Sequence, residues 1–186
     1  MKISVKSAIR ATAQMMGIAE DVNNYLDGDS SEEGKRNADL LLEAFNHVEN
    51  ELALDYLPLM AEEELLTSTG SVQYAELSHP ATRIFCVEDA KGRSLSYKLF
   101  PDRLQTQTGK IKVIYSYSPT PKNMDGESDY HTVVSERLFV YGMAAEYTFV
   151  EGELEASSTW DKKYKDAIAA VYKARQVKRL RSRRWV

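Results

Sequence analysis

The period of the hydrophobic pattern changes twice along this chain, and that limits the folds open to it. From Ala38 the residues Leu41, Leu42, Phe45, Val48, Leu52 and Tyr56 recur at spacings of three and four until Pro58 intervenes, the rhythm of an amphipathic helix. Between 65 and 117 the rhythm becomes two. ATRIFCVE sets Ile84 and Cys86 against Phe85 and Val87, and SLSYKLF puts Leu95, Tyr97 and Leu99 on one side. KIKVIYSYS puts Ile111, Val113, Tyr115 and Tyr117 on one face, and Asp89-Ala90-Lys91-Gly92 is a turn between runs. After the loop SPTPKNMDGESDYH the helical rhythm returns. The chain therefore reads as α+β: a mainly helical single domain over 1–186 with a small antiparallel β insertion over about 65–117. Helices near 35–57, 132–151 and 158–178 pack together.

Local signals refine this. MKISVKSAIRATAQMMGI has Lys2, Lys6 and Arg10 and no acid before Glu20, as a targeting peptide would. It lacks a continuous apolar core and a small-residue cleavage site, so it reads as an amphipathic helix with Val5, Ile9, Thr12 and Met16 on one face of an intracellular protein. DVNNYLDGDS is turn-rich, and Ser30 with Glu33 fits a capping box for the long helix. Glu43, Asn46, Glu49 and Asn50 are its expected wet face. In the 132–151 helix, Leu138, Tyr141, Ala145 and Phe149 form a core stripe. Phe139, Val140, Met143 and Tyr147 make the other sides apolar too. A helix apolar nearly all round is buried on more than one side, which assigns Val140 and Tyr147 to contact with another subunit. Gly152 stands where this helix ends. Trp160, Tyr164, Ile168 and Val171 give the last helix its stripe.

Few residues carry recognisable chemistry. His47, His79 and His131 have no metal-ligand spacing, and Cys86, the single cysteine, sits within an alternating strand. Placing Gly126 sixth in a calcium loop would put Pro121 first and Thr132 twelfth, and neither supplies the required carboxylate; Gly28 fails likewise, with Asn23 and Gly34. Glu62-Glu63-Glu64 reads as a solvated helix end. No phosphate-cradling glycine loop and no nucleophile elbow occur, so no cofactor, metal or catalytic residue is assigned and the protein is read as not an enzyme. No apolar stretch reaches the roughly 20 residues of a membrane-spanning helix.

Charge carries the one strong functional signal. The net charge of −4 divides into +8 from Asp161 to Val186 and −12 over the rest. Lys178, Arg179, Arg181, Arg183, Arg184 and Trp185 form a basic arm over 178–186 with an aromatic near its end. Cations favour a helix C-terminus, but so many of them, mostly arginine, point to pairing with carboxylates or phosphates. The acidic remainder argues against a broad nucleic-acid footprint.

The element order and two segments, KIKVIYSYSPTPKNMDGESD and VVSERLFVYGMAAEYTFVEGELEASSTWDKKYKDAI, resemble the head-to-tail adaptors (connector or neck proteins) of tailed bacteriophages. The resemblance covers most of the chain and rests mainly on its C-terminal half. It implies a ring-forming structural virion protein, a dodecamer in this family, docked beneath the portal protein and joined to tail or stopper proteins, with double-stranded DNA passing through the lumen. It implies a location in the virion neck and a basic arm that grips the portal. A sizeable β insertion departs from the nearly all-helical smaller adaptors. A small nucleic-acid-binding protein using the arm, or a regulatory module, stays open as the alternative.

Overall fold

A computed structural model describes residues 2–131 and 134–175. The chain is α+β, with antiparallel sheet inserted between helical segments, and it divides into two compact units. Residues 1–45 and 123–186 belong to the helical unit, and 46–122 to the β unit. The basic arm lies outside the described residues.

The helical unit begins with α1 (Val5–Met16) and α2 (Ala19–Leu26). α1 buries Val5, Ala8, Ile9, Thr12 and Ala13, and its cationic side meets acids: Lys6 Nζ lies 2.6 Å from Asp125 and Arg10 2.5 Å from Asp27, with Lys2 3.7 Å from Glu127. The Val5 amide donates to the Gly126 carbonyl and the Ser128 amide to that of Ile3. The loop examined for calcium is thus a strap across the start of α1, its acids facing lysines. α2 corrects the turn expected from DVNNYLDGDS. Glu20 and Asp21 in its first turn favour the helix dipole, and Val22 is fully buried.

α3 (Glu32–Glu51) is capped one residue later than Ser30: the Ser31 hydroxyl accepts the Gly34 amide at 3.1 Å and its carbonyl accepts that of Lys35. Gly34 fits because a side chain there would strike the Asp21 carbonyl. Ala38, Leu41, Phe45, Val48 and Leu52 are buried, as their spacing predicts. The helix ends in a wider π turn, Leu52–Tyr56, with the Leu57 amide on the Leu52 carbonyl (2.6 Å) before Pro58.

The supposed wet face of α3 needs correction too. Glu49 is buried, 3.9 Å from Lys122 Nζ. Asn46 holds Lys122 by two bonds, accepting its amide (2.6 Å) and donating to its carbonyl (3.1 Å), while Ser118 donates to Asn50 (2.7 Å). Residues 46, 49 and 50 share a helix face, and the chain after the last strand covers it.

The β unit contains β1 (Leu59–Thr67), β2 (Ser71–Gln73), β3 (Ala81–Asp89), β4 (Lys98–Leu99), β5 (Arg103–Gln105) and β6 (Gly109–Tyr117). They form two antiparallel three-stranded sheets, ordered β1-β6-β3 and β2-β5-β4. Val72, Leu77 and Leu104 join Ile84, Val87, Ile111, Val113 and Tyr115 in one core. The sheet starts at Leu59, earlier than 65, because Glu62-Glu63-Glu64 is strand. Glu62 and Glu64 point outward to Lys112 (2.7 Å) and Lys110 (2.5 Å). Glu63 points inward, accepting the Tyr115 hydroxyl and the Ser78 amide.

Strict alternation also fails in β3. Ile84 pairs with Tyr115 but Cys86 with Ile114, so Phe85 is an extra residue. That bulge turns both Ile84 and Val87 inward and leaves Phe85 exposed. SLSYKLF divides between sheets: Leu95 donates its amide to Val87, whereas Lys98 and Leu99 pair with β5.

Candidate functional site

The helical unit closes with α4 (Glu136–Val150) and α5 (Leu154–Arg175), an antiparallel hairpin. α4 starts later than 132 because Ser135 is extended, and Thr132 and Val133 lie outside the described residues. Gly152 (φ +82°) reverses the chain. α5 starts at Leu154 rather than 158, the Glu153 carbonyl accepting the Ser157 amide at 2.9 Å. Leu138, Phe139, Val140, Met143, Ala144 and Ala145 are buried. Phe139 stacks on Phe45 (4.9 Å between centroids) and meets Tyr130 edge-on.

The two helices meet through Tyr141 and Trp160 (ring centroids 5.9 Å apart) and through the Ser157 hydroxyl on the Ala145 carbonyl (3.0 Å). Cations cover the outside of the aromatic pair, Arg137 over Tyr141 and Lys163 over Trp160. Phe149, Val150 and Leu154, around the turn, are 61%, 58% and 64% exposed. Phe149 thus leaves the core stripe assigned to it: in the last turn of α4 the buried residue is its neighbour Thr148.

Acids rim this corner. Glu151 pairs with Arg36 at 2.6 Å, whereas Glu153 and Glu155 are exposed and make no ion pair with another described residue. Tyr147, half-buried, donates to Asn37 (3.3 Å). Burial first, then the nearby Glu151, pushes its hydroxyl above the usual tyrosine range, and Arg36 opposes this.

The residues assigned to a subunit interface are thus placed differently. Val140 is buried by its own chain, so the shortage of polar surface that assigned it outward does not apply. Tyr147 keeps some exposure beside the corner. Lys178, Arg179, Arg181, Arg183, Arg184 and Trp185 lie outside the described residues. What the sequence reading missed was the corner itself. Its signal was present in EYTFVEGELE, where three large apolar residues flank a helix-ending glycine and no cation occurs.

Elsewhere the chemistry is modest. His79 stacks on Tyr117, 4.3 Å between centroids, and His47 and His131 are exposed. The Cys86 sulfur lies 3.9 Å from Glu88 Oε1 and from the Ser94 hydroxyl. A shallow groove between Glu64, Glu88, Asp89, Lys110 and Lys112 has its charges largely neutralised. Among the described residues no group of three acidic, histidine or cysteine side chains is arranged to hold a metal ion, and no helix is long and apolar enough to cross a membrane. Comparison with protein-family models and with curated proteins finds no match for the chain.

Proposed function

We propose that this protein is a head-to-tail adaptor of a tailed bacteriophage. Its copies assemble into a ring beneath the portal protein in the virion neck, join it to tail or stopper proteins and let double-stranded DNA pass through the lumen. The observation that carries the reading is the exposure of Phe149, Val150 and Leu154 around one helix–helix turn, large apolar residues gathered at one place, as at protein-binding sites. Two further features support it. A long helix, an antiparallel insertion and two closing helices follow one another in the order on which the resemblance rests, with one more short helix, α2, before the long one. The acidic charge outside the C-terminal segment suits a channel that a polyanion slides through without sticking.

The test is to mix the purified chain with the portal protein of the same virus and to image the product by electron microscopy. The expected result is a ring of this chain beneath each portal. A chain that ignores the portal while binding duplex DNA tightly overturns the adaptor and favours the nucleic-acid reading.

A further inference from the structure

We infer that the acid-rimmed corner between α4 and α5 receives the basic C-terminal arm of a second copy of this chain, a head-to-tail contact that repeats from one copy to the next. The inference deepens the ring assembly proposed above, on which it rests, by naming the contact between copies, and its test needs no portal.

The corner and the arm are complementary in both respects that matter. From Glu146 to Glu155 the chain carries four glutamates and no cation; Arg36 already pairs with Glu151, so Glu153 and Glu155 are the acids left to meet an arm beside Phe149, Val150 and Leu154. From Gln176 to Val186 it carries five cations and no acid, interleaved with Val177, Leu180, Trp185 and Val186. Desolvated apolar area with an aromatic anchor supplies most of the affinity of such contacts, and the charges supply orientation and rate.

Geometry selects a second copy over the same one. α5 runs from Leu154 to Arg175, about 33 Å at 1.5 Å per residue, and the corner lies at its start. The arm leaves from the other end. Fully extended at about 3.3–3.6 Å per residue it spans about 36–40 Å, so folding back on its own α5 would bring only the last residues to the corner. Lys178 and Arg179, nearest the helix, would fall short of Glu153 and Glu155 even with their side chains extended. An arm arriving from another copy has no such limit, and a contact between unlike surfaces closes into a ring or continues as a filament.

The test uses the full chain at low salt. Sedimentation velocity over a concentration series gives its self-association. Glu153→Lys with Glu155→Lys weakens that association about tenfold or more, and adding Arg183→Glu with Arg184→Glu to the same chain restores it. In a Cys86→Ser background, a Leu154→Cys chain mixed with a Val186→Cys chain forms a disulfide-linked pair under mild oxidation. The control, Leu66→Cys with Val186→Cys, places the first cysteine at a residue 84% exposed in the β unit and forms less. A chain that stays monomeric with no cross-link above that control overturns the inference, as does association indifferent to the charge reversal. Removal of 178–186 that abolishes portal docking but leaves self-association intact also overturns it, and assigns the arm to the portal.

Discussion

On the outer face of β1, β6 and β3 the carboxylates of Glu62 and Glu64 each meet a lysine across the strand, whereas the hairpin of α4 and α5 ends in Phe149, Val150 and Leu154 bare to water. The β unit spends its polar residues neutralising its own exposed sheet face. The helical unit does the same along α1, where Lys2, Lys6 and Arg10 meet acids. At its hairpin turn it exposes three large apolar residues close in sequence, whereas the exposed Met60 and Leu66 of β1 stand apart, with the lysine-paired Glu62 and Glu64 between them. Apolar residues that stand close together are informative where scattered single ones are not.

Substitution can break or sharpen this contrast. The largest effect is expected inside the helical unit, where Phe139 is fully buried against Phe45. Phe139→Ala should cost about 3–5 kcal/mol in chemical denaturation, while Phe149→Ala on the same helix should stay within about 0.5 kcal/mol. Equal losses would mean that Phe149 is not a free surface residue. Next comes Asn46→Ala, which removes both bonds to Lys122. A loss of about 1–3 kcal/mol is expected, accompanied by faster amide exchange in residues 118–122.

Tyr115→Phe should cost about 1–2 kcal/mol and also change the response to alkali. Burial, and then the hydrogen bond to the Glu63 carboxylate, push the Tyr115 hydroxyl up to about 12. Its folded value exceeds its unfolded one, so its contribution is complete below the ordinary value of about 10 and is lost as pH rises through the folded value. Tyr74 and Tyr147 are raised too. Urea midpoints measured up to pH 12 should therefore fall less steeply in Tyr115→Phe without becoming flat. The smallest effect belongs to the exposed ladder. Lys110 holds the Glu64 carboxyl below its usual range, so its contribution is present at neutral pH and lost in acid. Glu64→Gln should shift the midpoint barely measurably at low salt and not at all at high salt. A large shift would show that the ladder organises the sheet.

The helices were legible in the sequence because a three-four repeat survives small errors. Ala38 to Leu52 reads the same if a cap moves from Ser30 to Ser31. The strands were legible only as runs. Phe85 and Thr82 are bulge residues, and each extra residue exchanges inside for outside, so the placing of Ile84 and Cys86 on one side was lost at a single step. Glu62-Glu63-Glu64 concealed a strand because cross-strand lysines, distant in sequence, are what make three acids tolerable there. Asn23 and Asn24 are weak helix formers, yet they lie in α2 because burial of Val22 outweighs propensity. The corner was hidden for a different reason. Periodicity shows which side of a helix is apolar, but not which residue of its last turn packs, and there Thr148 is buried while Phe149 is not.

The pair of bonds between Asn46 and Lys122 also bears on how the chain matures. A ribosome delivers the helical unit in two instalments, α1 to α3 early and α4 with α5 late, with the whole β unit between them. Bringing distant segments together costs more entropy as the intervening loop lengthens, and such non-local contacts slow folding. The β unit is continuous in sequence and is complete before α4 is made. Once folded, with its first residue bonded to its last, it replaces a long flexible loop by a closed one. The late helices then join the early ones as if only a short connection separated them.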